Sequence, residues 1–215
     1  MASISAPVDL SPLSIRIRPL SRLGRLLGGL VLYGASMGFM VRAQLGLDPW
    51  DVLHQGLAQR LGWSFGTITA LTGAVVLLAW LPLRQRPGIG TVANVVVIAV
   101  AVDATLALTP PVDPLLAQIV LMIIAIVLNG IATAVYVGAR LGPGPRDGLM
   151  TGLHARTDWS VRVVRTVIEL CVLSTGWLLG GTVGVGTVAY ALAIGPLTQF
   201  FLRFATVREK KDLCP

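Results

Sequence analysis

Residues 31 to 106 recur 96 positions later without a gap, and 25 of the 76 aligned pairs are identical. A composition this apolar gives about one in ten by chance. The chain is therefore a fused duplication, and its fold must be buildable from two copies of one unit. The match is densest where Leu45-Gly46-Leu47-Asp48-Pro49-Trp50-Asp51 lies over Leu141-Gly142-Pro143-Gly144-Pro145-Arg146-Asp147, and ten of the twenty positions from Leu45 to Ser64 agree. The shared residues are mostly Gly, Pro, Asp and Trp rather than interchangeable aliphatics, so what is repeated is a specific shape.

Apolar residues make up 54% of the 215 positions, charged residues 13%, and mean hydropathy is +0.79, which is the composition of a membrane protein. Six stretches have the roughly 17 to 25 apolar residues that a helix needs to cross a bilayer core: 24–42, 64–83, 88–108, 114–138, 163–181 and 185–203. Runs of this length without strict alternation read as helices, because a backbone in lipid must satisfy its own hydrogen bonds. The expected fold is all-α.

The first 20 residues are polar and contain Arg16 and Arg18 without a short apolar core and cleavage site, so a retained signal anchor is expected in place of a removable signal peptide. Residues 1–23 read as a basic, flexible cytoplasmic arm, 24–113 and 114–204 as the two repeats, and 205–215 as a basic cytoplasmic tail. Cys171 and Cys214 are too isolated to form a disulfide framework, a metal cluster or a redox motif. With six crossings and the N-terminus inside, fifteen of the seventeen Lys and Arg residues fall on the cytoplasmic side and only Arg42 and Arg60 outside. That asymmetry predicts cytoplasmic termini. The net charge of +7 then reflects orientation and anionic lipid, not nucleic acid, since the basic residues are scattered over short loops.

Three crossings per copy is an odd number, so the second copy is expected upside down relative to the first. The piece from Asp51 to Leu61 is the ambiguity. Counted as a crossing it would make four helices per copy and a parallel repeat, but eleven helical residues cover only about 16 Å, and the piece holds Asp51, His54, Gln55, Gln59 and Arg60. A short re-entrant or interfacial helix fits better. Pro49 and Pro145 suit a helix start, and Asp51 and Asp147 suit its first turn.

The pattern Leu-Gly-x-x-Pro-x-Asp-x-Leu, then Gly-Leu, then Trp-Ser, then Gly-x-Gly-Thr opening the next helix (Gly88, Gly90, Thr91 and again Gly184, Gly186, Thr187) resembles the YczE branch of the YczE/YyaS/YitT family of bacterial integral membrane proteins. The resemblance covers roughly 24–204. It implies a polytopic plasma-membrane protein of the kind described as a permease, and it carries no residue assignments.

Inverted repeats with interrupted helices are the mark of alternating-access carriers. The expected function is a secondary transporter or permease for a small solute, with lipid as its surroundings and no cofactor, metal or catalytic residue. The alternative is a non-transporting membrane partner that stabilises or localises another protein, and a homo-oligomer is compatible with either. No Walker A, His-Glu-x-x-His or Gly-x-Ser-x-Gly sequence occurs, so an enzyme is not expected. The residues to watch are Asp51 and Asp147, with Arg146 and His54 beside them; an Asp at a helix start is also an ordinary cap, and His54 and His154 read as interfacial. Inside the spans, Asp103 and Glu169 are acidic residues in a costly place. Glu169 shares a helix face with Arg162 and Arg165, which can neutralise it. Asn94, Asn129 and Gln199 are expected to bridge helices by hydrogen bonds.

Overall fold

A computed structural model of the chain describes residue 17 and residues 19–206. Among the described residues there are eight helices: α1 (Pro19–Ala43), α2 (Pro49–Leu61), α3 (Phe65–Leu83), α4 (Ile89–Leu108), α5 (Leu115–Gly138), α6 (Pro145–Thr157), α7 (Val161–Leu178) and α8 (Val185–Ala205). Each helix of the second half starts 96 positions after its counterpart: Pro19 and Leu115, Pro49 and Pro145, Phe65 and Val161, Ile89 and Val185. The duplication therefore reaches further back than identity alone revealed.

Turn geometry repeats as well. The positive-φ positions pair off as Gln44 with Arg140, Gly46 with Gly142, Gly62 with Asp158 and Arg84 with Gly180. Side chains differ at three of these four pairs, so the backbone path has been retained more closely than the residues that trace it.

Five helices, α1, α3, α4, α5 and α8, are long and apolar enough to cross a membrane. The remaining predicted crossing corresponds to α7, whose 18 residues contain Arg162, Arg165 and Glu169. Large apolar side chains such as Leu78, Val100, Leu116 and Leu192 point outward from the long helices, as lipid-facing positions must. Helices α2 and α6 are 13 residues each, about 20 Å, and are too short to cross.

The first helix begins at Pro19, within the stretch 1–23 expected as an arm. Arg22 is fully buried: its Nε donates to Ala139 O at 2.8 Å and its Nη2 to Arg140 O at 2.9 Å, supplying donors to carbonyls at the end of α5. The rest of the arm, and the tail from 207 onward, lie outside the described residues.

The two copies interlock by exchanging contacts. Helix α1 packs on α5 at the centre, α2 packs on α7, and α6 packs on α3. Gly186 N donates to Leu45 O at 2.7 Å, and its equivalent Gly90 N donates to Leu141 O at 3.1 Å. Each copy thus gives the other what it receives, the reciprocity of a two-fold relation. Gly46 shows why the Leu-Gly turn tolerates no other residue: its φ is +116°, and a Cβ there would lie 2.7 Å from Gly184 N.

The two seams are filled differently. Where α7 meets α2, Gly176 lets the helices touch; a Cβ on it would lie 2.4 Å from Leu53 N. At the equivalent seam, position 80 is Trp and position 148, the partner of Val52, is Gly. Trp80 is 1% exposed and fills the space that Gly148 leaves, while its Nε1 donates to Pro145 O at 3.0 Å. Bulk on α2 matched by none on α7 has become none on α6 matched by bulk on α3.

Candidate functional site

A cavity of about 700 Å³ lies between the copies, within the usual range for small-molecule sites. Part of its wall comes in repeat-equivalent pairs, among them Asp48 and Gly144, Trp50 and Arg146, His54 and Met150, Thr69 and Arg165, Gly73 and Glu169, and Asn94 and Tyr190, while others such as Tyr33, Tyr136 and Asp147 line it without their counterparts. Both members of each of these pairs face the same space. The chemistry of the pairs has diverged, so a nearly symmetric scaffold encloses an asymmetric site.

Short helix α2 carries the densest polar cluster. Asp48 caps it, accepting a hydrogen bond from Asp51 N at 2.8 Å, and Pro49 follows at the first helical position. With the cap role taken, the Asp51 carboxylate turns inward to His54 Nδ1 at 3.1 Å. Thr69 Oγ1 lies 3.4 Å from the same nitrogen. Arg146 reaches in from the start of α6, 3.6 Å from Asp48 Oδ2 and 3.7 Å from Asp51 Oδ1, with its guanidinium 4.9 Å from the centre of the Trp50 ring. That is a cation–π contact in addition to the ion pairs.

Burial sets the charge states. It pushes the Asp51 carboxyl up to about 6, against the pull of Arg146. Asp48 is raised by burial and then by Asp51, again opposed by Arg146. The His54 imidazole is pushed down to about 3 by burial and by the Arg146 charge, so it is neutral at pH 7. Burial disfavours charge on Arg146, but Asp48, Tyr33 and Asp51 together hold it above its ordinary value. Two carboxylates facing one guanidinium leave the cluster one positive charge short when both are ionised.

The expected residues are not brought to one place. Asp51, His54 and Arg146 meet directly. Asp147 and Glu169 line the same cavity, Asp147 exposed and Glu169 held by Arg165 at 2.8 Å. Asp51 and Asp147 are thus not equivalents in use: Asp51 is 2% exposed and sits behind the cavity wall. His54, expected at an interface, is buried at 1%, because α2 is tucked between α3 and α7; His154 is exposed. Asp103 lies apart and is structural, accepting from Ser64 Oγ at 2.6 Å and Gly66 N at 2.7 Å at the start of α3. Asp103→Ala is expected to lower stability in detergent by about 1–3 kcal/mol, the cost of leaving those donors unpaired, while leaving labelling of cavity cysteines unchanged; altered labelling at unchanged stability would contradict this role.

Asn129 bridges helices as expected, donating to Ser36 Oγ at 2.8 Å and accepting from Tyr190 OH at 3.0 Å; Asn94 and Gln199 instead line the cavity. Sequence reasoning missed Asp48, Trp50, Thr69 and the tyrosines. The chain has three tyrosines and all three, Tyr33, Tyr136 and Tyr190, line the cavity. Their position in the interior of long apolar helices was a usable signal, since a phenol there needs a polar partner.

A bundle of long apolar helices with outward-facing aliphatics, enclosing a cavity between two interlocked copies, defines a polytopic helical membrane protein. The chain belongs to the Family of unknown function (DUF6198), whose profile matches residues 20–203. It is 42% identical over 177 residues to an uncharacterized protein of Haemophilus influenzae, covering 82% of this chain and 81% of that protein. It is 35% identical over 177 residues to the uncharacterized membrane protein YczE of Bacillus subtilis, covering 81% and 82%, and 22% identical over 178 residues to YyaS of the same organism, covering 81% and 89%. No solved structure matches the chain.

Proposed function

We propose that the protein is a secondary carrier for a small solute, built from six crossings in a 3+3 inverted repeat with both termini in the cytoplasm. The observation that carries this proposal is the cavity lined by both members of repeat-equivalent pairs, since alternating access needs a site shared by two units that exchange conformations. The first copy supplies three candidate crossings, α1, α3 and α4. If α7 crosses as its counterpart α3 does, the second copy supplies three as well, and an odd number inverts it. The charges of α7 can be accommodated in this count: Arg165 and Glu169 line the cavity and pair with each other at 2.8 Å, and Arg162 lies in the first turn of the helix.

Under this topology the lining residues of α4 and α5, such as Asn94 and Val137, lie in the cytoplasmic halves of their helices, while those of α1 and α3, such as Met37, Thr69 and Gly73, lie in the outer halves, so the cavity spans the middle of the membrane. Two measurements test the proposal in a background lacking Cys171 and Cys214. Asp113→Cys and Thr182→Cys should both react with an impermeant thiol reagent added outside intact cells; labelling of one alone rules out six crossings. Thr133→Cys, in the cavity wall, should be labelled both in intact cells and in inside-out vesicles. Labelling from one side only would describe a static pocket and favour a non-transporting membrane partner.

A further inference from the structure

Within that carrier reading, on which it rests, we propose that the solute is an organic carboxylate with an apolar body, bound at Arg146, and that each one is taken up together with one proton received by the Asp48–Asp51–His54 cluster.

Exposure decides the sign of the solute's charge. The Arg146 side chain keeps 27% of its surface open, whereas Asp48, Asp51 and His54 keep 5%, 3% and 2%. A solute entering the cavity meets the guanidinium before Asp48 and Asp51, which lie behind it, while Asp147, the next residue of α6, shares the opening. Arg146 also has donors to spare: its distances of 3.6 and 3.7 Å to the two carboxylates exceed hydrogen-bond length, and a guanidinium offers five N–H groups in a fork that matches a carboxylate. A cationic solute would have to displace Arg146 to reach Asp48 or Asp51. The body of the solute is set by the remaining walls, where Met37, Val95, Ile98, Val137 and Ile194 join the tyrosine rings.

Charge balance supplies the proton. Asp48, Asp51 and Arg146 sum to one net negative charge with His54 neutral. A carboxylate docked on Arg146 would make that two in a buried site, where like charges strongly disfavour each other. Protonation of the Asp51–His54 pair, already linked at 3.1 Å, restores the starting charge, and solute anion plus proton together carry none. The neighbouring groups change neither the one charge that a docked anion adds nor the one proton that offsets it. Arg165 and Glu169 on α7 pair with each other, Asp147 has the charges of Arg146 and Arg165 acting on it, and Tyr33, Tyr136 and Tyr190 from α1, α5 and α8 are phenols, uncharged at neutral pH.

The test is calorimetric titration of the purified, detergent-solubilised protein with benzoate, benzyl alcohol and benzylamine, which share a ring and differ in charge. At pH 7, in phosphate and in Tris, benzoate is expected to bind with uptake of about one proton, read from the dependence of heat on buffer. Its apparent Kd should then rise about tenfold from pH 7 to pH 8 in the unaltered protein. Asp51→Asn should keep benzoate binding and lose most of the proton uptake, and Arg146→Lys should weaken binding at least tenfold while preserving uptake. Preference for benzylamine, benzoate binding without proton uptake, or no binding by any of the three overturns the inference. Two-sided labelling of Thr133→Cys is independent of these results, so failure here leaves carrier function standing and failure there does not mimic failure here.

Discussion

Gly148→Ala is expected to cost the protein most of its folded yield. A Cβ at this position would lie 2.0 Å from Cζ2 of Trp80, a ring that is 1% exposed and tied by its Nε1 to Pro145 O. The ring cannot rotate away without breaking that bond or emptying the seam between α3 and α6. Overpacking of this kind costs about 1–3 kcal/mol where neighbours can yield, and more where they cannot. The control is Gly28→Ala in α1, where nothing lies within 4 Å of the added Cβ and helix propensity favours alanine. Trp80→Leu placed in the Gly148→Ala background should restore part of the loss, because two residues that share one volume couple by about 0.5–3 kcal/mol. Additive losses in the double variant, measured by fluorescence-detected size exclusion and thermal melting in detergent, would refute the complementary-seam account.

The second large effect is a pair of opposite pH dependences hidden in one hydrogen bond. Asp51 is raised from 3.8 to about 6, so between those pH values the native chain holds a proton that the unfolded chain has released. Its contribution to stability is present below about pH 4 and lost as pH rises to about 6. His54 is lowered from 6.5 to about 3, so in that window the unfolded chain holds the extra proton. Its contribution increases as pH rises toward 6.5. The two slopes oppose, with Asp48, also raised, adding to the falling one. The parent protein's melting temperature should therefore fall only gently from pH 4 to 6.5, less steeply than that of a variant lacking His54. His54→Asn should expose the falling slope and Asp51→Asn the rising one, each amounting to several degrees across the window. Parallel slopes in the two variants would mean that the pair does not share its proton.

Much of this protein was legible in the chain because membrane insertion and duplication are both written in local patterns. Apolar run length predicts helices in lipid, since no other backbone partner exists there. The 96-residue offset placed the short helices α2 and α6, and all four helix starts of the second half follow it. Asp51, Arg146 and His54 could be picked out because ionisable groups beside a Pro-initiated short helix are rare in so apolar a chain.

Tertiary structure decided which of these groups meet and which part company. Asp51 and Asp147 are equal in the alignment, yet one is buried against His54 and the other opens on the cavity, because position 48 is Asp in the first copy and its counterpart at 144 is Gly. Asp103 looked as promising as Glu169 until packing carried it to the start of α3, where it spends its oxygens on Ser64 and Gly66. Periodicity and length act within one segment and can be read from it. The cavity arises where residues about a hundred positions apart are pressed together, and which pairs meet there depends on complementary side-chain volumes such as Trp80 over Gly148, which no single segment encodes.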